Sequence, residues 1–225
     1  MKKYSLYDLT LVLFVTILML SNIVAAKLVP VGPLVITAAT FMFPLSYIFG
    51  DVLVEVYGFK LSRRVIWVGF AANFLMVIVF YLIYLLPTIS GQALQDSYKM
   101  ILLGTPRIVG ASLVAYLLGS FVNSVILSRI KVIMAGKKLW IRTISSTIFG
   151  EFFDTLVFTI LAFIGTVPGY VLITMIYSSY LVKCGVEILF TPITYKIVAL
   201  YKRIEKVDVY DTKERYNPFG IGVEG

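Results

Sequence analysis

The chain has 225 residues, 60% of them hydrophobic and 14% charged, against about 45–50% apolar and about 25% charged in a soluble domain. Its net charge is +8, but the Lys and Arg sit in short clusters between apolar blocks, a topology pattern and not a nucleic-acid groove. With no His and only Cys184, intrachain disulfides, CxxC chemistry and His-based metal or triad sites are excluded, and no cofactor is expected.

The apolar residues fall in blocks of about 20, the length that crosses ~30 Å of hydrocarbon at ~1.5 Å per residue. The expected architecture is an all-α integral membrane protein, a six-helix transmembrane bundle. Its spans are 7–27, 38–57, 65–86, 107–128, 143–166 and 170–199. Residues 1–201 then form the transmembrane domain and 202–225 a charged cytoplasmic tail, mobile from Asp208 onward. Lys2, Lys3 and the run Leu9–Leu20 before Val24-Ala25-Ala26 look like a signal peptide, but the run is long enough to span and is read as the first helix. After it, Leu28–Pro33 holds two prolines and a glycine, which predict a tight turn or a re-entrant stretch. Pro87 closes the third span. The long connection 88–106 carries Asp96-Ser97, read as the cap of a short interfacial helix, and Thr166–Gly169 predicts a very short turn.

Loop charges set the orientation. Lys2 and Lys3, then Lys60, Arg63 and Arg64, then Arg129, Lys131, Lys137, Lys138 and Arg142, then Lys202, Arg203 and Lys206 fall on one side. The alternate connections carry only Lys27, Lys99 and Arg107 near their ends. The positive-inside rule places both termini in the cytoplasm, which requires an even number of spans.

Asp51, Glu55, Glu151, Asp154, Lys183 and Glu187 lie within or near spans, where a central charge costs ~2.5–3.5 kcal/mol and points to function by default. The alternative is an ion-pair network that only holds helices together. Tyr47, Asp51 and Glu55 form one stripe, as do Ser112, Tyr116, Ser120 and Asn123, and Tyr180, Lys183, Glu187 and Thr191. Glu151 and Asp154 share a face with Thr147 and Phe158, and Ser21 and Asn22 lie on the first helix. Ser, Thr and Asn alone often just join helices, for about 1 kcal/mol or less. Lys183 needs a partner on another helix, and Asp154 or Glu151 is expected. The segment Ser46–Asp51 echoes Ser146–Glu151 one hundred residues on, the mark expected of an inverted three-plus-three repeat with a site between the halves.

The same residues carry a family resemblance. Phe43–Asp51, followed by Glu55-Val56-Tyr57-Gly58 and Arg63-Arg64, resembles the signature of the queuosine precursor transporter family, also called the vitamin uptake transporter family. Further matches are Ser21-Asn22 with Lys27, Thr105–Ile108 with Ser112 and Tyr116, Leu139–Arg142 with Ser145-Ser146, and Gly150-Glu151 with Asp154-Thr155, Phe158 and Ala162–Gly165. The resemblance covers residues 5–200. One departure is Glu151, where a neutral Gln is expected in many relatives.

The resemblance implies an inner-membrane importer of 7-cyano-7-deazaguanine, 7-aminomethyl-7-deazaguanine or queuine for tRNA modification, and not an enzyme. A carboxylate can accept both the ring N–H and the exocyclic amine of such a base, while Tyr47, Phe49, Tyr116, Phe153 or Phe158 stacks on its ring. The expected substrate-facing set is Asp154, Glu151, Asp51, Asn22, Tyr47, Tyr116, Asn123 and Lys183, with Glu55, Arg107 and Glu187 in structural or gating roles. The expected partners are a small deazapurine and the lipid bilayer, with no direct nucleic-acid contact. A homo-oligomer or an ATPase module is left open. A second reading is the substrate-binding subunit of an energy-coupling ATP-driven importer, docking through Ala111, Ala115 and Gly119, although ordinary packing explains those small residues as well. A membrane enzyme using Asp51 and Glu151 as acid and base is a third, lacking a His or an activated nucleophile.

Overall fold

A computed structural model describes residues 6–24, 27–31, 34–89, 91–103 and 106–220. Among them the regular structure is helical apart from one small hairpin. Its elements are α1 (Tyr7–Val24), β1 (Leu28–Val31), β2 (Leu34–Thr37), α2 (Phe43–Tyr84), α3 (Gln92–Tyr98), α4 (Pro106–Ile133), α5 (Leu139–Phe163) and α6 (Gly169–Glu205). Five helices are long and apolar enough to cross a membrane by length and composition. Their outer faces carry Leu9, Leu75, Leu82, Leu118, Phe149 and Leu189, all exposed, as a lipid-facing bundle requires.

The expected turn at 28–33 is an antiparallel hairpin in which Leu28 pairs with Thr37 and Val31 with Leu34. Gly32 and Pro33 at its tip lie outside the described residues. This ladder consumes residues through Thr37, and a 3-10 turn follows at Ala38–Phe41, so the helix begins at Phe43 and not at 38. The short helix of the long connection is also present as α3, but Gly91 precedes it and Asp96 lies inside it. Asp96 accepts a bond from Gln92 and does not cap the helix.

The main surprise is at Gly58. There φ is +80° and ψ 173° inside α2, a conformation open to glycine and strained for other residues. The contacts with α1 give the consequence. Before Gly58, Gly50 lies against Phe14 and the ring of Tyr57 meets that of Tyr7. After it, Tyr7 donates to Leu61 O, Gly69 lies against Leu18, and Asn22 donates to Asn73. The chain descends α1 and then climbs it, so the two arms of α2, 43–57 and 59–84, run in opposite directions. The loop expected between spans two and three is a corner of one residue.

A distant segment completes that corner. The expected mobile tail is instead docked through residue 220. Val209 N–H donates to Val56 O at 3.2 Å, satisfying a carbonyl left open at the end of the first arm. The Asp211 carboxylate accepts the Phe59 N–H at 2.8 Å, acting as an N-cap for the second arm from 152 residues away. Arg63 donates to Asn217 O at 2.6 Å and Trp67 to Pro218 O at 2.8 Å. A Cβ at Gly58 would stand 2.7 Å from Val209 Cγ1, so the corner and the tail fit only with glycine there. α6 also continues past Tyr201 to Glu205, carrying the expected domain boundary inside a helix.

Asp208 gives this docking a pH dependence. Burial raises its pKa, but hydrogen bonds and charge from Lys131 and Lys202 outweigh burial and hold it below the ordinary 3.8. A depressed carboxyl contributes stability that is complete above its unfolded value and lost as pH falls through the native one. Tail docking should therefore be insensitive to pH above about 5 and fail progressively below about pH 4. Trp67 fluorescence followed from neutral to acid pH checks this, and release beginning near neutrality would contradict it.

Two apolar clusters build the core. Tyr7, Phe14, Val52, Val56, Tyr57, Val65, Val198 and Tyr201 join α1, α2 and α6. Phe59, Ile66 and Phe121 join α2 to α4, with Tyr216 of the tail against them. The echo segments pack differently, since a Cβ on Gly50 would stand 3.8 Å from the Phe14 ring while one on Gly150 would stand 2.8 Å from Asn123 Cβ.

Candidate functional site

Three ionisable side chains meet between α5 and α6. Lys183 Nζ lies 2.5 Å from Asp154 Oδ2 and 2.8 Å from Glu151 Oε2, the two acids expected from the sequence. Their side chains are 14% (Lys183), 25% (Asp154) and 13% (Glu151) exposed. The cluster is therefore removed from water and still reachable. One cation serves two acids, so a carboxylate can give up the ammonium to a ligand without stranding it.

The site is held by a close approach of α4 and α5. A Cβ on Gly150 would stand 2.8 Å from Asn123 Cβ and 3.1 Å from Gly119 O, and one on Gly119 would stand 2.7 Å from Asp154 Cβ. Small residues let backbones approach in this way. Ala111 and Ala115 are buried on the same helix, so this stripe is occupied within the chain. Gly150→Ala should destabilise the protein by about 1–3 kcal/mol through overpacking, read as a lower melting temperature in detergent. An unchanged melting temperature would mean that the helices part without cost.

Next to this cluster lies a second group of acids. Asp51, 1% exposed, accepts a bond from Asn123 Nδ2 at 3.3 Å through Oδ1, while its Oδ2 has no hydrogen-bond partner among the described residues. Glu187, 2% exposed, has none for either oxygen. It borders a cavity of about 220 Å³ with Thr147, Tyr180 and Cys184. A larger cavity of about 370 Å³ opens beside it, walled by Phe152, Thr155, Tyr177 and Tyr180.

Glu55 belongs to a different network. Fully buried, its Oε1 accepts from Lys202 at 2.6 Å and Arg142 at 3.1 Å, with Lys131 at 3.8 Å. Lys131 also donates to Asp208 at 2.5 Å and to the carbonyls of Glu55 and Val209. This network closes the end of the bundle that carries the Gly58 corner.

The remaining expected residues divide. Asn22 clamps α1 to α2 through Asn73 at 2.6 Å and is not in the acid clusters. Tyr116 packs in the core and donates to Ile66 O at 3.1 Å. Arg107 donates to Leu161 O and Ile164 O, capping the end of α5. The Tyr47 side chain lies outside the described residues. Of the expected aromatics, Phe49 packs against the core, Phe158 packs on Phe163 and Phe153 is exposed; the cavity walls use Phe152, Tyr177 and Tyr180 instead. Lys131 and Arg142, each 1% exposed, are interior cations and not the loop charges expected from the sequence. Spacing held a signal for both. Arg142, Ser146, Gly150 and Asp154 are four apart, as are Asn123, Leu127 and Lys131, so each cation continues a polar interior stripe.

Comparison with known proteins agrees in kind. A family model described as "Putative vitamin uptake transporter" matches residues 37–197. A Bacillus subtilis protein named "Probable queuosine precursor transporter" is 29% identical over 176 residues, 78% of this chain and 77% of that one. An Escherichia coli "Queuosine precursor transporter" is 27% identical over 56% of this chain and 55% of its own. A Haemophilus influenzae "Probable queuosine precursor transporter" is 31% identical over 56% of this chain and 52% of its own. No solved structure matches.

Proposed function

The chain belongs to the vitamin uptake transporter family, and from that premise we propose that it imports queuosine precursors, the 7-cyano- and 7-aminomethyl-7-deazaguanines or queuine. It is a multi-pass inner-membrane transporter and not an enzyme. The observation that carries the substrate reading is the Lys183 ammonium shared between Asp154 and Glu151. Lys183 pairs with both acids. An arriving base offers its ring N–H and exocyclic amine to Asp154, and Lys183 stays paired with Glu151. Analogues lacking those N–H groups are rejected, because Asp154 would lose the ammonium and gain nothing. Phe152, Tyr177 and Tyr180, beside the cluster, supply faces for stacking.

The test is uptake in cells that neither make nor import deazaguanines, read as queuosine in tRNA with each precursor supplied. The native chain should restore it. Asp154→Asn offers one acceptor in place of two and should lower uptake more than tenfold at normal membrane levels. Wild-type uptake by Asp154→Asn, Glu151→Gln and Asp51→Asn alike would remove the reading.

We read the two arms of α2 as separate crossings, which makes six in all with both termini cytoplasmic. The charge distribution and the reversal at Gly58 support this. A reporter fused to the C-terminus should be active only in the cytoplasm, and one inserted near Gly91 only outside; either result reversed overturns the topology. The echo of Ser46–Asp51 in Ser146–Glu151 supports an inverted three-plus-three origin. Whether an ATPase partner or a second copy takes part is decided by purification in mild detergent, the expectation being a transporter without ATPase subunits.

A further inference from the structure

The charged groups of the interior are unevenly paired. Glu55 and Asp208 share Lys131, Arg142 and Lys202. Glu151 and Asp154 share Lys183. Among the described residues, Asp51 and Glu187 have no base paired with them. They come from α2 and α6, and other carboxylates act on them. Asp51 faces Glu55 on its own helix and the neutral Asn123 of α4. Glu187 faces Asp51 of α2 and Glu151 of α5, and its own helix adds Cys184 and Lys183, which bonds the other pair. Three of the four carboxyl oxygens on Asp51 and Glu187 lack hydrogen-bond partners among the described residues. Both residues are more than nine-tenths buried. Two bare carboxylates in such a place, unpaired and close together, repel each other and lose hydration without return.

We propose that Asp51 and Glu187 form a proton-binding site, separate from the Lys183 cluster, through which import is coupled to the proton gradient. A carboxylate of the pair takes a proton from the outer side and becomes a neutral acid, which the interior tolerates. It gives the proton up on the cytoplasmic side, and one positive charge crosses with each proton. Glu187 is the entry group, because it borders the cavity shared with Thr147, Tyr180 and Cys184. Glu151 links the two sites, since it touches Lys183 and also acts on Glu187. Symport requires that substrate and proton favour each other's binding, and Glu151 is the group that meets both sites.

The coupling rests on the importer reading, whereas the proton site itself is measured without substrate. Infrared spectroscopy of the purified protein at neutral pH should show the carbonyl stretch of a protonated carboxylic acid, shifted in D2O. The band should weaken in Asp51→Asn and in Glu187→Gln. No band in the wild type, or one untouched by both substitutions, overturns the site. In liposomes, an outside-acid gradient of one pH unit should raise deazaguanine accumulation about tenfold at one proton per substrate. Glu187→Gln should retain exchange of internal for external substrate within about twofold while losing the gradient's effect. Gradient-driven accumulation by Glu187→Gln at the wild-type level overturns the coupling. An infrared band in a protein that neither exchanges nor accumulates deazaguanine would instead count against the substrate reading.

Discussion

Replacing Lys183 with Met should abolish uptake and destabilise the protein by about 3–5 kcal/mol, the range for breaking one partner out of a buried ion pair. The substitution keeps most of the volume and removes the cation that Asp154 and Glu151 share at 2.5 and 2.8 Å. Two carboxylates then face each other next to Asp51 and Glu187, with no base among the four. Pairing Lys183→Met with Asp154→Asn should restore part of the stability and little of the transport, because the acceptor that reads the base has gone too. Melting temperature in detergent and uptake in cells separate these outcomes. Lys183→Met protein that melts like the wild type would mean that the cluster is hydrated and its charges interact weakly.

The second large effect is expected at Glu55. Its side chain is fully buried with Arg142 and Lys202 bonded to one oxygen and Lys131 close by. Glu55→Gln leaves three cations gathered around a neutral amide, with Asp208 alone to offset them. A loss of about 3–5 kcal/mol is again expected, seen as poor yield and a lowered melting temperature. Replacing the buried pair together, Glu55→Leu with Arg142→Met, should recover much of it, since apolar groups of similar volume can substitute for a buried pair. If the double variant is no better than Glu55→Gln, the defect lies in the corner and not in stranded charge.

Much of this was written in the sequence, and particular residues show where it stopped. The apolar blocks and the stripe positions of Glu151, Asp154 and Lys183 follow from a period of 3.6 residues, which survives any tertiary arrangement. The corner at Gly58 did not follow, because Lys60, Arg63 and Arg64 look like loop charges and no local residue caps the second arm. The cap is Asp211, far along the chain, and no window of sequence contains both. For the same reason the tail looked mobile. Its segment is charged and poor in apolar residues, and its order comes from backbone and carboxylate bonds to the bundle. Tyr116 sits on a polar stripe and Asn22 on the first helix, and both join helices, since a position on a face gives a direction but not the identity of the neighbour.

The docked tail also has a consequence in time. Synthesis runs from the N-terminal end, so Asp208, Asp211 and Glu214 are made after every helix among the described residues. On the proposed orientation, Lys131, Arg63 and Lys202 fix the direction of insertion while the tail is still unmade. Only afterwards do Asp208 and Glu214 reach them, at 2.5 Å from Lys131, 3.6 Å from Arg63 and 2.9 Å from Lys202. Commitment to a direction and locking of the bundle are therefore successive events, the first carried by cations and the second by acids that arrive late. A chain interrupted just after α6 would be threaded correctly yet left unlocked, with Phe59 N–H and Val56 O uncapped at the Gly58 corner. The finished fold thus registers that synthesis has passed the docked segment.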